Sequence, residues 1–164
     1  VYVEIFRGTS LLVQMFWLFY ALPLLGIRLE PTTAGILALG LNIGAYGAEV
    51  VRGAILAVDP KQYEASTALN FGPRYTLWNI VMPQALRTIL PPLGNDFVAM
   101  VKDSSLVSVL GVADITQMGK VYAAGSFRFF ETYSIVAYIY LLLTVTLSLA
   151  LRALERKLRK GAHE

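Results

Sequence analysis

Four stretches of this chain stay apolar for about the length needed to cross a lipid bilayer. Residues 9–27 read TSLLVQMFWLFYALPLLGI, with Gln14 the only strongly polar interior residue. Residues 32–51 are rich in small side chains, and a polar interval then runs from Arg52 to about Asn79. Apolar character returns at Ile80, is punctuated by Pro83, Pro91 and Pro92, and places a third stretch at 89–110. The fourth, 133–151 (YSIVAYIYLLLTVTLSLAL), is the cleanest. A membrane-spanning helix needs about 20 mainly apolar residues, so the pattern predicts an all-α protein with four spans. Any one run would suit the buried helix of a large soluble protein, but four do not fit into 164 residues. In the third stretch, Pro91, Pro92 and Gly94 predict a broken helix, because proline lacks the backbone donor and crowds the preceding turn.

Composition supports membrane as the solvent. Charged residues are 15% of the chain, against about 25% in soluble domains. Zero Cys excludes thiolate metal sites, disulfide scaffolds and Cys catalysis. A net charge of only +3, without basic residues interleaved with aromatics, argues against nucleic acid as a partner. The first run is not a cleaved leader, since Glu4 and Arg7 precede it without a basic amino-terminal region.

Lys and Arg favour the cytoplasmic side of the membrane. Four spans with the cytoplasm before the first put Arg7, Arg52, Lys61, Arg74, Arg87, Arg152, Arg156, Lys157, Arg159 and Lys160 inside, and only Arg28, Lys120 and Arg128 outside. The carboxyl terminus is therefore expected in the cytoplasm of an inner, or plasma, membrane protein. The 52–79 loop is cytoplasmic too. In it, Asp59-Pro60 is a helix start, Asp capping the exposed donors and Pro tolerated at the first helical position. Residues 61–69 (KQYEASTAL) form a short helix that stops at Asn70-Phe71-Gly72-Pro73, where Asn and Gly accept a left-handed backbone. A second helix starts at Arg74 and reaches Ala85. A small capped helix held on the cytoplasmic face suits docking against another protein.

The string Glu64-Ala65-Ser66-Thr67-Ala68-Leu69-Asn70, followed by Ile80-Val81-Met82-Pro83-Gln84-Ala85, resembles the EAA loop of ATP-binding cassette importer permeases. The resemblance continues over Phe6-Arg7-Gly8-Thr9-Ser10-Leu11-Leu12-Val13-Gln14, Gly44–Ile55 and Lys102-Asp103-Ser104-Ser105-Leu106, and is similar to the polar amino acid subgroup. It implies a single permease domain over 1–164 whose coupling helix sits in a groove of a separate ATPase subunit. Tyr63, Glu64, Ala65, Ser66, Ala68, Leu69, Asn70 and Gly72 would form that contact. Ser66 stands where the motif usually has Ala, Asn70 where it usually has Gly, Ser10 for a usual Pro and Lys61 for a usual Gly. Similar permeases carry one more amino-terminal span, so the resemblance implies a five-span core beginning outside. It also implies an extracytoplasmic solute-binding protein and a second permease subunit, the same or similar. No cofactor is expected in this chain, which has no phosphate loop; ATP and Mg would be bound by the ATPase subunit.

Ionisable residues within spans are costly and mark functional sites or internal networks. Glu49 and Arg52 are one turn apart and can pair, either lining a cytoplasmic entrance or simply ending a span. Gln14, Asn95, Asp96, Lys102, Ser104 and Ser105 are either a substrate path or a structural polar network. In the first reading Asp96 and Lys102 meet the ammonium and carboxylate of a zwitterion, although six residues of regular helix would set them on different faces. Gly40, Gly44 and Ala48 make a flat helix side, and Phe127–Phe130 with Tyr133 read as an interfacial aromatic belt. The function expected is a permease subunit for polar amino acids, itself no enzyme. An ion-coupled secondary transporter or channel-like protein, with Asp and Lys as a relay, is the rival, and it leaves the capped helix without a partner. A membrane enzyme or sensor subunit would need a catalytic or ligand-binding constellation, which the sequence does not display.

Overall fold

The computed structural model describes residues 1–160, with side chains as far as Arg156. His163, for which the sequence suggests no role, lies outside them, as do the side chains of Lys157, Arg159 and Lys160. All regular structure among the described residues is helical. Helix α1 (Tyr2–Gly8) is followed by α2 (Leu11–Phe16), which continues as a π-helical segment (Trp17–Ala21) and a 3-10 turn (Leu22–Leu25). Then come α3 (Pro31–Leu56), the short α4 (Pro60–Ala68) and α5 (Pro73–Tyr75). A π-helical segment (Thr76–Val81) joins α5 to α6 (Met82–Asp103), which ends in a 3-10 segment (Ser104–Leu110). Helices α7 (Ile115–Ser126) and α8 (Phe129–Lys160) complete the chain.

Pro31–Leu56 and Phe129–Arg156 are long and apolar enough to cross a membrane, and α1 with Leu11–Leu25 makes a third candidate bent by 107°. That bend sits at Thr9 and Ser10, both in extended conformation. A helix broken at membrane depth needs its freed carbonyls satisfied from elsewhere. Here the Thr9 hydroxyl donates to Ile5 O at 2.8 Å, and the Gln14 amide donates to Phe6 O at 2.8 Å and to Thr9 O at 3.1 Å. Asn42 on α3 adds a bond to Phe6 O at 3.1 Å and one to Gln14 Oε1 at 3.2 Å. The bend is thus pinned to α3.

The buried residues of α3 are Ala34, Gly35, Ala38, Ala45 and Ala54, all small. Lipid tails are as apolar as side chains, so helices in a membrane associate through close packing, which small residues permit. One core cluster joins Met15 to Ala34, Ala38 and Leu110, and another joins Ala54 and Val58 to Val81, Ala85 and Ile89. The last three recur every four residues and give one face of the helical run to α3. Of the expected flat side, Gly44 lies against the Tyr2 hydroxyl, where a Cβ would come within 3.0 Å, and that hydroxyl donates to Leu41 O at 2.6 Å. Gly40 has nothing within 4 Å of such a Cβ.

One expectation is corrected. The helix does not break at Pro91 and Pro92, since α6 runs from Met82 through both to Asp103. Two adjacent prolines remove only the bonds to the carbonyls of Arg87 and Thr88, and the ladder resumes on either side. The irregularity lies instead at the ends, in the π-helical segment before Met82 and the 3-10 segment after Asp103. The run that follows α4 is accordingly one helical stretch, rather than a loop helix followed by a separate span at 89–110. The stretch after Leu110, to which the hydropathy pattern assigned no element, holds α7. Asp114 caps α7 by accepting from the Gln117 amide at 2.8 Å, and the Tyr140 hydroxyl on α8 bonds the same carboxylate at 3.2 Å. Small residues hide this helix from a hydropathy scan. Gly119 lets α8 approach until a Cβ there would stand 2.7 Å from Val136 Cγ2.

Candidate functional site

Two features share the helical run from Pro73 to Leu110: a capped helix at its foot and a cavity along its upper half. Asp59 Oδ1 accepts from the Lys61 backbone amide at 2.9 Å and Pro60 takes the first helical position of α4. At the other end Asn70 adopts φ 60, the left-handed conformation expected of it. Its amide reaches Thr67 O at 2.9 Å and the Phe71 amide reaches Ser66 O at 3.0 Å, the paired bonds that close a helix on a left-handed residue. Both ends of α4 are therefore satisfied by residues close by in the chain. Within α4, only Ser66 is buried. Tyr63, Glu64, Ala65 and Ala68 on α4, and Leu69, Asn70 and Gly72 after it, are exposed. Leu69, Phe71 and Tyr75 form an exposed apolar patch beside the helix, the two rings 4.7 Å apart.

The cavity measures about 310 Å³. Its polar lining comes from the α1–α2 bend (Thr9, Ser10), from α3 (Asn42, Tyr46) and from α6 (Asp96, Asp103), with Leu39, Ile43, Ala99, Met100 and Leu106 among the apolar walls. The volume is at the small end of ligand sites. Among the described residues, no Lys or Arg lines it. Asp96 Oδ2 is buried and has no hydrogen-bond partner among the described residues. A buried acceptor without a donor costs free energy, so this oxygen favours a guest that donates.

Of the seven candidate path residues, only Asp96 lines the cavity. Lys102 is exposed on the surface of the single chain, because α6 is regular between the two and six residues carry a side chain roughly 240° round the axis. Asn95 is exposed as well. Ser104 is turned back on Val101 O at 2.8 Å, and Ser105 is half-buried but not in the lining. Gln14 supports the bend. Glu49 accepts from Arg52 Nε at 3.0 Å and lies 3.9 Å from Arg7 on α1. The Arg7 guanidinium sits 5.3 Å from the ring centre of Tyr46, so this charged trio adjoins the cavity through a lining residue.

The sequence pattern set Asp103 beside Lys102, Ser104 and Ser105 in the polar group of the third stretch, but did not single out Asn42 and Tyr46 as lining residues. A signal for them existed. Asp96 and Asp103 are seven apart and Asn42 and Tyr46 four apart, spacings that share a helix face.

Comparison with known proteins agrees with this architecture. A probable amino-acid ABC transporter permease protein of Sinorhizobium fredii, y4tF, is 48% identical over 165 residues, covering 94% of this chain and 67% of its own length. The glutamine transport system permease protein GlnP of Escherichia coli is 42% identical over 161 residues, covering 97% of this chain and 74% of its own. A crystal structure of an amino acid ABC transporter with histidines superposes with a TM-score of 0.90 at 42% identity, covering 95% of this chain and 73% of that one. Residues 1–160 match the family of binding-protein-dependent transport system inner membrane components, and with this helical arrangement the chain belongs to that family of multi-pass permease subunits.

Proposed function

We propose that this chain forms the substrate path of an ATP-driven importer for polar amino acids and couples through α4 to a separate ATPase subunit. The observation that carries this reading is α4 itself, a helix capped at both ends that turns all but one side chain outward. An element so ordered and so little buried suits a protein surface rather than the core of its own chain. In this reading four spans cross the membrane, the 52–79 loop and the carboxyl terminus face the cytoplasm, and α8 meets lipid. None of the apolar window of α8 is buried inside the chain. The partner subunit binds ATP and Mg, an extracytoplasmic solute-binding protein delivers substrate, and a second permease subunit completes the path.

The cavity holds the amino acid by its chemistry. Asp96 and Asp103 attract the ammonium group, and Asp96 Oδ2 receives the donor it lacks. Ser10 offers its hydroxyl to the carboxylate, in place of Lys102, because the Thr9 hydroxyl and the Asn42 amide already donate within the bend.

Glu64→Arg tests the docking. In vesicles containing the chain, its ATPase subunit and the binding protein, the variant is expected to insert normally but to lose uptake and binding of the ATPase subunit. Normal ATP-dependent transport by this variant would overturn the reading. Uptake driven by an ion gradient without ATP would favour the secondary-transporter alternative.

A further inference from the structure

We infer that the buried hydroxyls of Ser66 and Thr76 form the joint that makes α4 and the helix behind it one moving body. This rests on the docking function proposed for α4 and names the residues that would transmit its motion. Ser66 is 1% exposed and Thr76 6% exposed, and their hydroxyls hydrogen-bond to each other. Thr76 is the first residue of the π-helical segment and also bonds Gly72 O at 3.2 Å, so it gathers the end of the connecting loop into the same point.

Little else attaches α4. It packs against the 76–81 segment. None of its apolar side chains is buried, and the other side-chain hydrogen bond across the gap among the described residues is Gln84 to Gln62 at 3.5 Å on the exposed surface. A hydrogen bond shielded from water is both stronger and costlier to leave unmade than one at the surface. The Ser66–Thr76 pair is therefore the contact that fixes the angle between α4 and the run that follows. The hydroxyl on α4 stands where the motif usually has Ala.

The same helical run carries the joint at its foot and the cavity carboxylates higher up. Thr76 and Asp96 are twenty residues apart, about 30 Å of helix. Between them Val81, Ala85 and Ile89 are packed against α3, and packed helices shift as bodies rather than deforming continuously. A push on α4 that passes through a stiff joint tilts or slides this lever and moves Asp96. Through a loose joint it only swings α4.

The joint is tested by transport per ATP hydrolysed in vesicles holding the whole complex, with a mixture of labelled L-amino acids as probe. Thr76→Val removes the hydroxyl and keeps the volume; Ser66→Ala removes its partner. Each is expected to lower the ratio about five-fold, the change one buried hydrogen bond typically carries, while ATP hydrolysis stimulated by the binding protein persists. The double variant should be no worse than the worse single, because the two act as one contact, and Thr76→Ser should retain the original ratio. An unchanged ratio in both single variants, or additive losses, would overturn the proposal. A second measurement needs no partner. The chain has no Cys, so Lys61→Cys on α4 and Leu86→Cys on α6 accept spin labels without background. Thr76→Val should broaden the distance distribution between them, and an unaltered width would overturn the joint. If the unsubstituted chain neither binds an ATPase subunit nor moves an amino acid, the proposed function fails, and the spin-label result still decides the joint.

Discussion

Gly94 on α6 is pressed against Leu151 on α8 so closely that a Cβ built on the glycine would stand 2.0 Å from Leu151 Cδ2. Gly94 is buried, and this contact sets how near α8 lies to the helix carrying the cavity carboxylates. Overpacking a tight contact costs about 1 to 3 kcal/mol. Gly94→Ala is expected to lower the thermal stability of the detergent-solubilised protein, and Leu151→Ala in the same chain should restore most of it. Thermal unfolding of the single and double variants checks this; equal stability of Gly94→Ala and the parent contradicts it.

Asn70 tests whether the left-handed closure of α4 is needed. A side chain other than Asn or Gly in this conformation costs about 1 to 2 kcal/mol. Asn70→Gly should bind the ATPase subunit as well as the parent does, while Asn70→Val should bind it several-fold more weakly. Co-purification at graded subunit concentrations distinguishes them.

Asp96 and Lys102 are expected to separate in function. A hydrogen bond to a charged group contributes about 1.5 to 3 kcal/mol, so Asp96→Asn should weaken substrate affinity roughly 10- to 100-fold. Lys102→Met, outside the cavity lining, should change it less than about two-fold. Substrate binding to the purified complex measures both, and equal losses would place Lys102 in the path after all.

Gln14 is expected to act on stability. Gln14→Leu deprives Thr9 O of the Gln14 donor and Asn42 of its Gln14 acceptor, at a cost of about 1 to 3 kcal/mol. The variant should unfold at lower temperature yet, where folded, bind substrate with affinity close to that of the parent. An unchanged unfolding temperature with lost binding would reverse that assignment.

Much of this protein is determined by local sequence. Four long apolar runs make it a helical membrane protein because unpaired backbone groups are intolerable in lipid. Asp59-Pro60 and Asn70 delimit α4 through interactions that reach only a few residues, which is why both of its ends are legible in the order of residues alone. Glu49 and Arg52 pair for the same reason. The cavity was decided by tertiary structure. Asp96 and Asp103 face Asn42 and Tyr46 only because α6 passes unbroken through Pro91 and Pro92, while the bend at Thr9 closes the space from a third side. Gln14 looks the same in the sequence whether it touches substrate or a carbonyl, and only the 107° turn beside it assigns its hydrogen bonds. Helix α7 likewise depends on Gly119 meeting Val136 seventeen residues later. Periodicity and capping are properties of neighbours along the chain. Which polar side chain finds a partner, and which is left facing a cavity, is a property of helices that meet in space.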